Sequence, residues 1–194
     1  MEMLTIPPEV LEAIEKYRYK AFNYRDSMTE AYQASQVDPF NPKIPGVSEE
    51  FFNYQDPTTV DYLETALEVN LYSHLHVLMK PGNTVIEALK SWANEQDPER
   101  EFYHISGHFL YPKEQGFMGW HTNSDQPNAR IYLSYAEEGG KSFFRYRDPE
   151  SGEIVTLWDE QGWNARMFET PRDPNKLYWH CVYSECDRSH APDP

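Results

Sequence analysis

The sequence predicts a mainly β fold in which helices come first and short strands follow. In the first half of the chain, apolar residues recur at helical spacing. After Glu101 the segments become short, rich in aromatic and branched residues, and bounded by turn residues. Fifteen prolines and nine glycines among 194 residues also favour many turns over long helices. The second half therefore supplies the β core, and the first half covers it.

The pattern of residues 1–100 predicts a mostly helical buttress for the β core. One helix spans Pro7–Tyr17, with prolines in its first turn and an apolar face made by Val10, Leu11, Ile14 and Tyr17. Another begins at Asp56-Pro57, where an acidic N-cap precedes proline. Thr84–Glu87 matches a capping box that opens a third helix. The run Leu71–Met79 is ambiguous between a helix and a strand.

Residues 101–190 predict the β core. The strand-like segments are Phe102–Tyr111, Ala129–Tyr135, Ser142–Arg147, Glu153–Leu157, Ala165–Glu169 and Leu177–Tyr183. Asp148–Gly152 between two of them is typical of a hairpin loop. Half a dozen short strands behind a helical section favour a jelly-roll barrel or sandwich buttressed by helices. No linker or repeat divides the chain, so residues 1–194 are predicted to form one domain.

Charge and cysteine content narrow the possible partners. A net charge of −15 without a basic patch argues against nucleic acid. The sequence contains no leader pattern and no apolar stretch of membrane length, so we expect no membrane partner. Cys181 and Cys186 are too few for a disulfide framework. These features predict a cytoplasmic protein.

Two of the seven histidines are candidate metal ligands. His121 follows a glycine-rich turn and opens a polar cluster, and residue 123 would point the same way if this segment is a strand. His180 stands among apolar residues in a predicted strand, where an imidazole needs a partner. A metal ion shared by both histidines would satisfy that need. His74, His76, His104 and His108 lack a carboxylate at ligand spacing, and we interpret them as structural.

The order of blocks along the chain carries a family resemblance. The blocks are Tyr111-Pro112, the glycine-rich turn, His121-x-Asn123, Arg130–Gly140 (RIYLSYAEEGG), Ser142–Tyr146 and finally His180. Together they resemble the 2-oxoglutarate/Fe(II)-dependent oxygenases, and most closely the prolyl-hydroxylase-like branch. The resemblance covers about residues 103–188, and it implies a double-stranded β-helix.

That resemblance implies a specific chemistry. Two histidines and a carboxylate occupy one face of Fe(II), which leaves the opposite face for 2-oxoglutarate and O₂. The implied activity is a dioxygenase that hydroxylates a small molecule or a peptide side chain. His121 and His180 would be its catalytic metal ligands.

The third metal ligand departs from the family pattern. Asn123 occupies the position of the acid, and its amide oxygen is neutral. Asp125 is the nearest carboxylate, although it lies about 6.6 Å further along an extended chain. Three outcomes stay open: Asn123 binds iron directly, Asp125 takes its place, or iron has only two protein ligands.

The co-substrate anchor is also unusual. By the resemblance, an arginine after the second histidine pairs with the far carboxylate of 2-oxoglutarate. Arg188 comes eight residues after His180 and is the first candidate. Arg130, Tyr132 and Tyr111 are further candidates for holding the co-substrate.

Two other functions remain possible on the sequence alone. One is a cupin-like metal-binding jelly roll that uses His104 or His108 as an additional ligand. The other is an interaction module that has kept the fold after losing the acid.

Overall fold

The structure of the protein is a computed structural model, and two helices and eleven strands are found in the part of the chain that it describes. The described residues are 1–23, 49, 73–74, 76–77, 82–102, 108–113, 116–123, 128–171, 173 and 176–191. Helix α1 spans Pro8–Asn23 and helix α2 spans Asn83–Gln96. None of the described helices is long and apolar enough to span a membrane.

The strands are short and most of them belong to the second half of the chain. In order they are β1 (Glu2–Leu4), β2 (Ser73–His74), β3 (His76–Val77), β4 (Phe109–Tyr111), β5 (Gly116–His121), β6 (Ala129–Ala136), β7 (Ser142–Arg147), β8 (Ile154–Trp158), β9 (Gly162–Glu169), β10 (His180–Ser184) and β11 (Arg188–Ala191).

These strands form two antiparallel sheets. The larger sheet has the order β1-β9-β6-β11-β4-β3, and the smaller has the order β2-β5-β10-β7-β8. The eight strands from β4 to β11 pair in a nested way: β4 with β11, β5 with β10, β6 with β9 and β7 with β8. The segment from β4 to β11 is therefore one long antiparallel hairpin, and its successive strand pairs alternate between the two sheets.

The apolar residues are sorted into layers by the alternation of side chains along the strands. Ile131 and Leu133 of β6 pack outward against Val10, Ile14 and Leu89 of the two helices. Between the two sheets lies a second cluster, which is mostly aromatic: Tyr111, Phe144, Tyr146, Phe168, Tyr178 and Val182. A third cluster covers the other face of the smaller sheet and includes Phe143 and Cys181. The aromatic cluster between the sheets also surrounds His180.

The predicted helices agree with the structure in position but not in every detail. The helix at Pro7–Tyr17 is confirmed as α1, which continues to Asn23. The capping box at Thr84–Glu87 is wrong, because α2 begins at Asn83 after Gly82 and has no side-chain cap. Asp56-Pro57 lies outside the described residues. The ambiguous run Leu71–Met79 contains the two short strands β2 and β3.

The mainly β prediction is confirmed, and Ser142–Arg147 has the predicted bounds. The hairpin loop is also confirmed: Gly152 has φ of +76° and donates its N–H to the Asp148 carbonyl at 2.8 Å.

The predicted glycine-rich turn is present only at its start, where Gly116 donates its N–H to the Pro112 carbonyl at 2.8 Å. The prediction is wrong for Gly119, which lies inside the strand β5. A Cβ at Gly116 would lie 2.6 Å from the Tyr111 Cβ, so glycine permits the tight passage from β4 into β5.

Candidate functional site

His121 and His180 face each other across two neighbouring strands. His121 is the last residue of β5, and His180, the first residue of β10, is its direct partner in the antiparallel register. Their ring centroids are 4.1 Å apart. His180 is fully buried, whereas His121 is partly accessible. The two residues that the sequence predicted as metal ligands are thus brought together.

Both imidazoles have their orientation and tautomer fixed by the backbone. His121 donates from Nδ1 to the Gly119 carbonyl at 2.8 Å, and His180 donates from Nδ1 to the Tyr178 carbonyl at 3.0 Å. A neutral imidazole carries one proton, so each Nε2 is left with a lone pair. A backbone carbonyl on the second nitrogen is the arrangement that commonly orients histidine ligands of metal ions.

Burial, and to a smaller extent the charge of Arg130, lower the pKa of His121 to about 4 against the opposite effect of the hydrogen bond to Gly119. At neutral pH the ring is therefore uncharged. A neutral imidazole is the form that binds metal.

Asn123 and Tyr132 complete the polar group around His180. Asn123 lies two residues beyond the end of β5, and its Nδ2 is 3.2 Å from His180 Nε2 and 3.2 Å from the Tyr132 hydroxyl. The Tyr132 hydroxyl is 3.4 Å from the same His180 Nε2. Two strands and one loop thus direct three polar side chains to one point between the sheets.

Aromatic rings enclose this point. The His180 ring stacks on Phe144 at 5.5 Å and meets the edge of Phe168 at 5.7 Å. Behind it, Tyr178 stacks between Tyr146 and Phe168. Such a wall excludes water and makes electrostatic interactions inside the site stronger.

A second polar group in the interior consists of Asp159 and two arginines. Arg188 of β11 donates from Nε to Asp159 Oδ2 at 2.8 Å, and Arg166 of β9 places Nη2 at 2.7 Å from Asp159 Oδ1. The Ser142 hydroxyl donates to the same carboxylate at 2.5 Å. All three charged side chains are at most 1% exposed. Burial raises the pKa of Asp159, but the two arginines and Ser142 outweigh it and lower the value to about 2.

This buried cluster carries an excess of one positive charge, since two arginines share one carboxylate. Among the described residues, Arg166 Nε and Arg188 Nη1 have no hydrogen-bond partner. The buried Tyr178 hydroxyl has none either, and burial raises its pKa so that it stays neutral. Unsatisfied buried donors next to uncompensated positive charge are suited to an anion.

The other predicted co-substrate residues lie on interior-facing positions. Arg188 sits over the Tyr111 ring at 5.1 Å, and the two are partners in the register of β11 and β4. Arg130 and Tyr132 are two residues apart on β6, so they face the same side. Asp125 lies outside the described residues, which leaves the hypothesis that it binds the metal untested.

The remaining histidines fall elsewhere or outside the description. The Nδ1 atom of His108 contacts the Tyr17 hydroxyl of α1, which gives that buried ring a structural partner. His104 lies outside the described residues. Among the described residues, no group of three or more histidine, cysteine, aspartate or glutamate side chains is placed to hold a metal ion.

The sequence analysis missed Asp159 and Arg166. A pattern was present, because β9 alternates Trp163, Ala165 and Met167 with Asn164, Arg166 and Phe168. The first set faces the helices, so the second set must face the other sheet. An arginine in the second set is a buried charge that needs a partner.

Comparison with known proteins adds no assignment. No protein-family model matches this sequence, and no curated protein matches it significantly.

Proposed function

We propose that this protein is a non-haem Fe(II), 2-oxoglutarate-dependent oxygenase that hydroxylates a small molecule or a peptide side chain. The observation that carries the proposal is the facing pair His121 and His180, with both Nδ1 atoms held by backbone carbonyls, so that Nε2 is the atom of each ring that carries the lone pair. The donor set suits a ferrous ion, because imidazole and oxygen donors are its usual ligands in such enzymes.

The strand pairing supports a jelly-roll core, the double-stranded β-helix of this enzyme class. A jelly roll is a long antiparallel hairpin wound into two sheets, so its first strand pairs with its last and each later pair lies inside the previous one. The four nested pairs from β4–β11 to β7–β8 fit that winding. In this frame the two histidines lie on adjacent strands of one sheet.

The arginine cluster supports a carboxylate co-substrate. 2-Oxoglutarate has one carboxylate beside its keto group and one at its far end. Arg188 and Arg166, which share the carboxylate of Asp159, would hold the far carboxylate. Arg130, Tyr132 and Tyr111 line the same interior and would contact the rest of the molecule. When bound, Fe(II) and 2-oxoglutarate supply the activation of O₂, and the products are succinate, CO₂ and the hydroxylated substrate.

The chain's own residues would orient the reactants and keep water out. The backbone carbonyls of Gly119 and Tyr178 hold the two imidazoles, and the aromatic wall of Phe144 and Phe168 shields them. Cys181 and Cys186 are buried and form no disulfide. Reduced thiols and a ferrous ion both favour a reducing compartment, and on this ground we propose that the protein is cytoplasmic.

The test begins with metal binding under nitrogen. Purified protein is stripped with a chelator, and binding of Fe(II) and of the redox-stable Mn(II) is measured by calorimetry. We expect one ion per chain and a loss of at least about tenfold in affinity for His121→Ala and for His180→Ala. His108→Gln is the control, because His108 contacts Tyr17 instead of the site.

The second step measures turnover. Succinate formation from 2-oxoglutarate and O₂ is followed with and without added Fe(II), and substrate-independent turnover suffices for detection. A wild-type protein that binds none of these ions would overturn the proposal. Binding without succinate formation would leave a metal-binding jelly roll and would overturn the assigned activity.

A non-catalytic interaction module is the second candidate, and one observation favours it. The acid position holds the neutral Asn123, and a ferrous centre normally uses a carboxylate there. In that case His121→Ala would leave every binding property of the protein intact. The metal titration therefore separates the two candidates.

A further inference from the structure

We propose that strand β8 is a docking edge for an extended segment of a partner protein, which would add to the smaller sheet as one more strand. The segment would carry β-branched or aromatic side chains at alternate positions and lysine or arginine at its ends. The inference does not rest on the proposed iron site, because β7 lies between β8 and the strand β10 that carries His180.

The backbone of β8 has one side that is turned away from its neighbour. Within the described residues, β8 is the end strand of the smaller sheet. The Asp159 N–H, directly after the strand, donates to the Ser142 carbonyl of β7 at 2.9 Å. Residues along an antiparallel strand alternate between those that exchange such bonds with the neighbour and those that do not. The N–H and C=O groups that point away from β7 are therefore those of Ile154, Thr156 and Trp158.

The sequence of β8 lacks the features that commonly protect an edge strand. The strand reads Ile-Val-Thr-Leu-Trp and contains no charged residue and no proline. It pairs with β7 in a continuous register, without a bulge that would twist the edge away. Lysine, proline and bulges are the usual means by which proteins prevent another strand from adding to an edge. The five residues of β8 are thus a suitable template for a further strand.

Trp158 makes one end of this edge open and adhesive. Its side chain is 56% exposed, although the rest of the strand is partly buried. Its ring meets the ring of its register partner Phe143 edge-on at 5.2 Å. An aromatic ring that is supported on one side and open to solvent on the other provides a contact for a side chain of an added strand.

The side chains of β8 are already held in place on both faces of the sheet. On the outer face, Arg145 donates from Nε to the Thr156 hydroxyl at 2.7 Å, and its guanidinium lies 4.5 Å from the centre of the Phe143 ring. On the inner face, Val155 and Leu157 pack against the aromatic cluster between the sheets. Because the edge is ordered before binding, little of its conformational entropy is lost when a strand adds.

The charges around β8 favour a basic segment over a second copy of this chain. Glu153 and Glu160 are exposed and flank the strand at its two ends. Lysine or arginine at the ends of a segment would pair with both acids. Two copies paired antiparallel about Thr156 would instead bring Glu153 of one copy near Glu160 of the other. Each copy also carries a net charge of −15, so the copies repel each other.

The size of the edge leads to the same choice. A strand of five residues is about 17 Å long. Stable protein–protein interfaces bury about 1,200–2,000 Å², and one added strand of this length covers only a part of that area. Recognition of a short extended segment is the mode of binding that such an edge supports, with backbone hydrogen bonds for affinity and alternate side chains for specificity.

Binding of a synthetic peptide to the full chain tests the proposal. The probe is fluorescein-labelled Lys-Lys-Val-Thr-Val-Tyr-Val-Thr-Lys-Lys, with alternate amides N-methylated so that only one of its edges can pair. One control peptide has glutamate in place of the lysines, and another has all amides N-methylated but the same charge. Fluorescence anisotropy measures affinity, and hydrogen–deuterium exchange locates the site. We expect the probe alone to bind, with one peptide per chain and protection of residues 153–160.

The first pair of variants tests the backbone of the edge. Thr156→Pro removes an N–H that points away from β7, so the hydrogen bonds within the sheet remain. Thr156→Val is its matched control, because valine keeps the N–H and loses only the hydroxyl. We expect Thr156→Pro to bind the probe at least about tenfold more weakly, and Thr156→Val to bind it about as well as the wild type.

The second pair tests the exposed aromatic ring and does not depend on the folding of the proline variant. Trp158→Thr keeps a β-branched residue in the strand and should weaken binding of the probe by about fivefold or more. Met3→Thr is its matched control, because Met3 is 57% exposed on β1, an end strand of the larger sheet. We expect Met3→Thr to leave the affinity unchanged. Thermal melting of all four variants checks that they are folded.

The outcomes decide the proposal without reference to the metal. Absence of probe binding, equal binding of either control peptide, protection outside residues 153–160, or an unchanged affinity in Trp158→Thr would overturn it. A dimer in light scattering that Trp158→Thr dissociates would make a second copy the occupant of the edge and would overturn it as well. None of these results affects the metal titration of His121 and His180.

Discussion

Arg188 Nε lies 2.8 Å from Asp159 Oδ2, and both side chains are essentially removed from solvent. The other carboxylate oxygen is 2.7 Å from Arg166 Nη2. One acid thus joins β9, β11 and the end of β8. Removing one partner of a buried ion pair leaves an uncompensated charge, which costs far more than the loss of a surface pair.

We predict that Asp159→Asn lowers the free energy of unfolding by about 3–5 kcal/mol, because two buried guanidinium groups lose their counter-charge. For a chain of this size that corresponds to about 10 °C in Tm. Thermal melting by circular dichroism measures the change. Glu150→Gln is the control, since its contact with Lys176 is exposed and should contribute little. An equal Tm for both variants would contradict a structural role of the cluster.

The same carboxylate predicts how stability depends on pH. The folded pKa of Asp159 is about 2, below its ordinary value of 3.8, so the unfolded chain binds the proton more readily. The stabilisation is complete above about pH 4 and is lost as pH falls toward 2. Its size is about 2.5 kcal/mol, from about 1.4 kcal/mol for each pKa unit. Urea unfolding between pH 6 and 2 should show this loss in the wild type but not in Asp159→Asn.

Much of this fold was predictable because the local pattern and the tertiary environment agree. In the strand Ser142–Arg147 the side chains point alternately to the outer and the inner face of the sheet, and both faces are buried. This strand has the predicted bounds.

The segment Gly116–His121 was only partly predictable. Gly116 closes a turn with Pro112, in agreement with its residue type. Gly119 lies inside β5, where the register with β10 shifts between Met118 and His121, and such an irregularity depends on the partner strand and leaves no local pattern.

The candidate site, too, was only partly predictable from the sequence. His121 and His180 were predictable from the order of the sequence blocks around them and from the cost of an isolated imidazole in a strand. The roles of Asp159 and Arg166 were not, because an acid and an arginine seven residues apart become partners only when β8 and β9 belong to different sheets. The direction of the Asn123 amide also depends on Tyr132, which lies on the other sheet.

We predict that Gly116→Ala destabilises the protein, by about 2–4 kcal/mol, because the new Cβ would meet backbone that has no room to shift. The predicted contacts are 2.6 Å to the Tyr111 Cβ and 2.7 Å to the Pro112 nitrogen. Gly82→Ala is the matched control, since nothing lies within 4 Å of a Cβ there. Denaturant titration of both variants checks this. Because β5 ends at His121, Gly116→Ala should also weaken metal binding, whereas Gly82→Ala should not.

The arginine cluster predicts a separation between metal binding and co-substrate binding. Arg188→Lys keeps the charge but loses the planar fork that pairs with a carboxylate. We expect about tenfold weaker binding of 2-oxoglutarate to the Mn(II)-loaded protein, with the Mn(II) affinity unchanged. Arg145→Lys is the control: Arg145 lies on β7 with its guanidinium over Phe143, in the cluster on the other face of that sheet. Calorimetry on both variants gives the comparison, and equal affinities would exclude Arg188 as the anchor.

The last prediction concerns the replacement of the amide by an acid. Asn123→Asp places a carboxylate beside His180 Nε2, where the amide nitrogen now lies at 3.2 Å. A carboxylate is an anionic ligand, so Fe(II) affinity should rise by about tenfold or more. Anaerobic Fe(II) titration of the wild type and of the variant measures the change. A variant with unchanged Fe(II) affinity would show that position 123 does not face the metal.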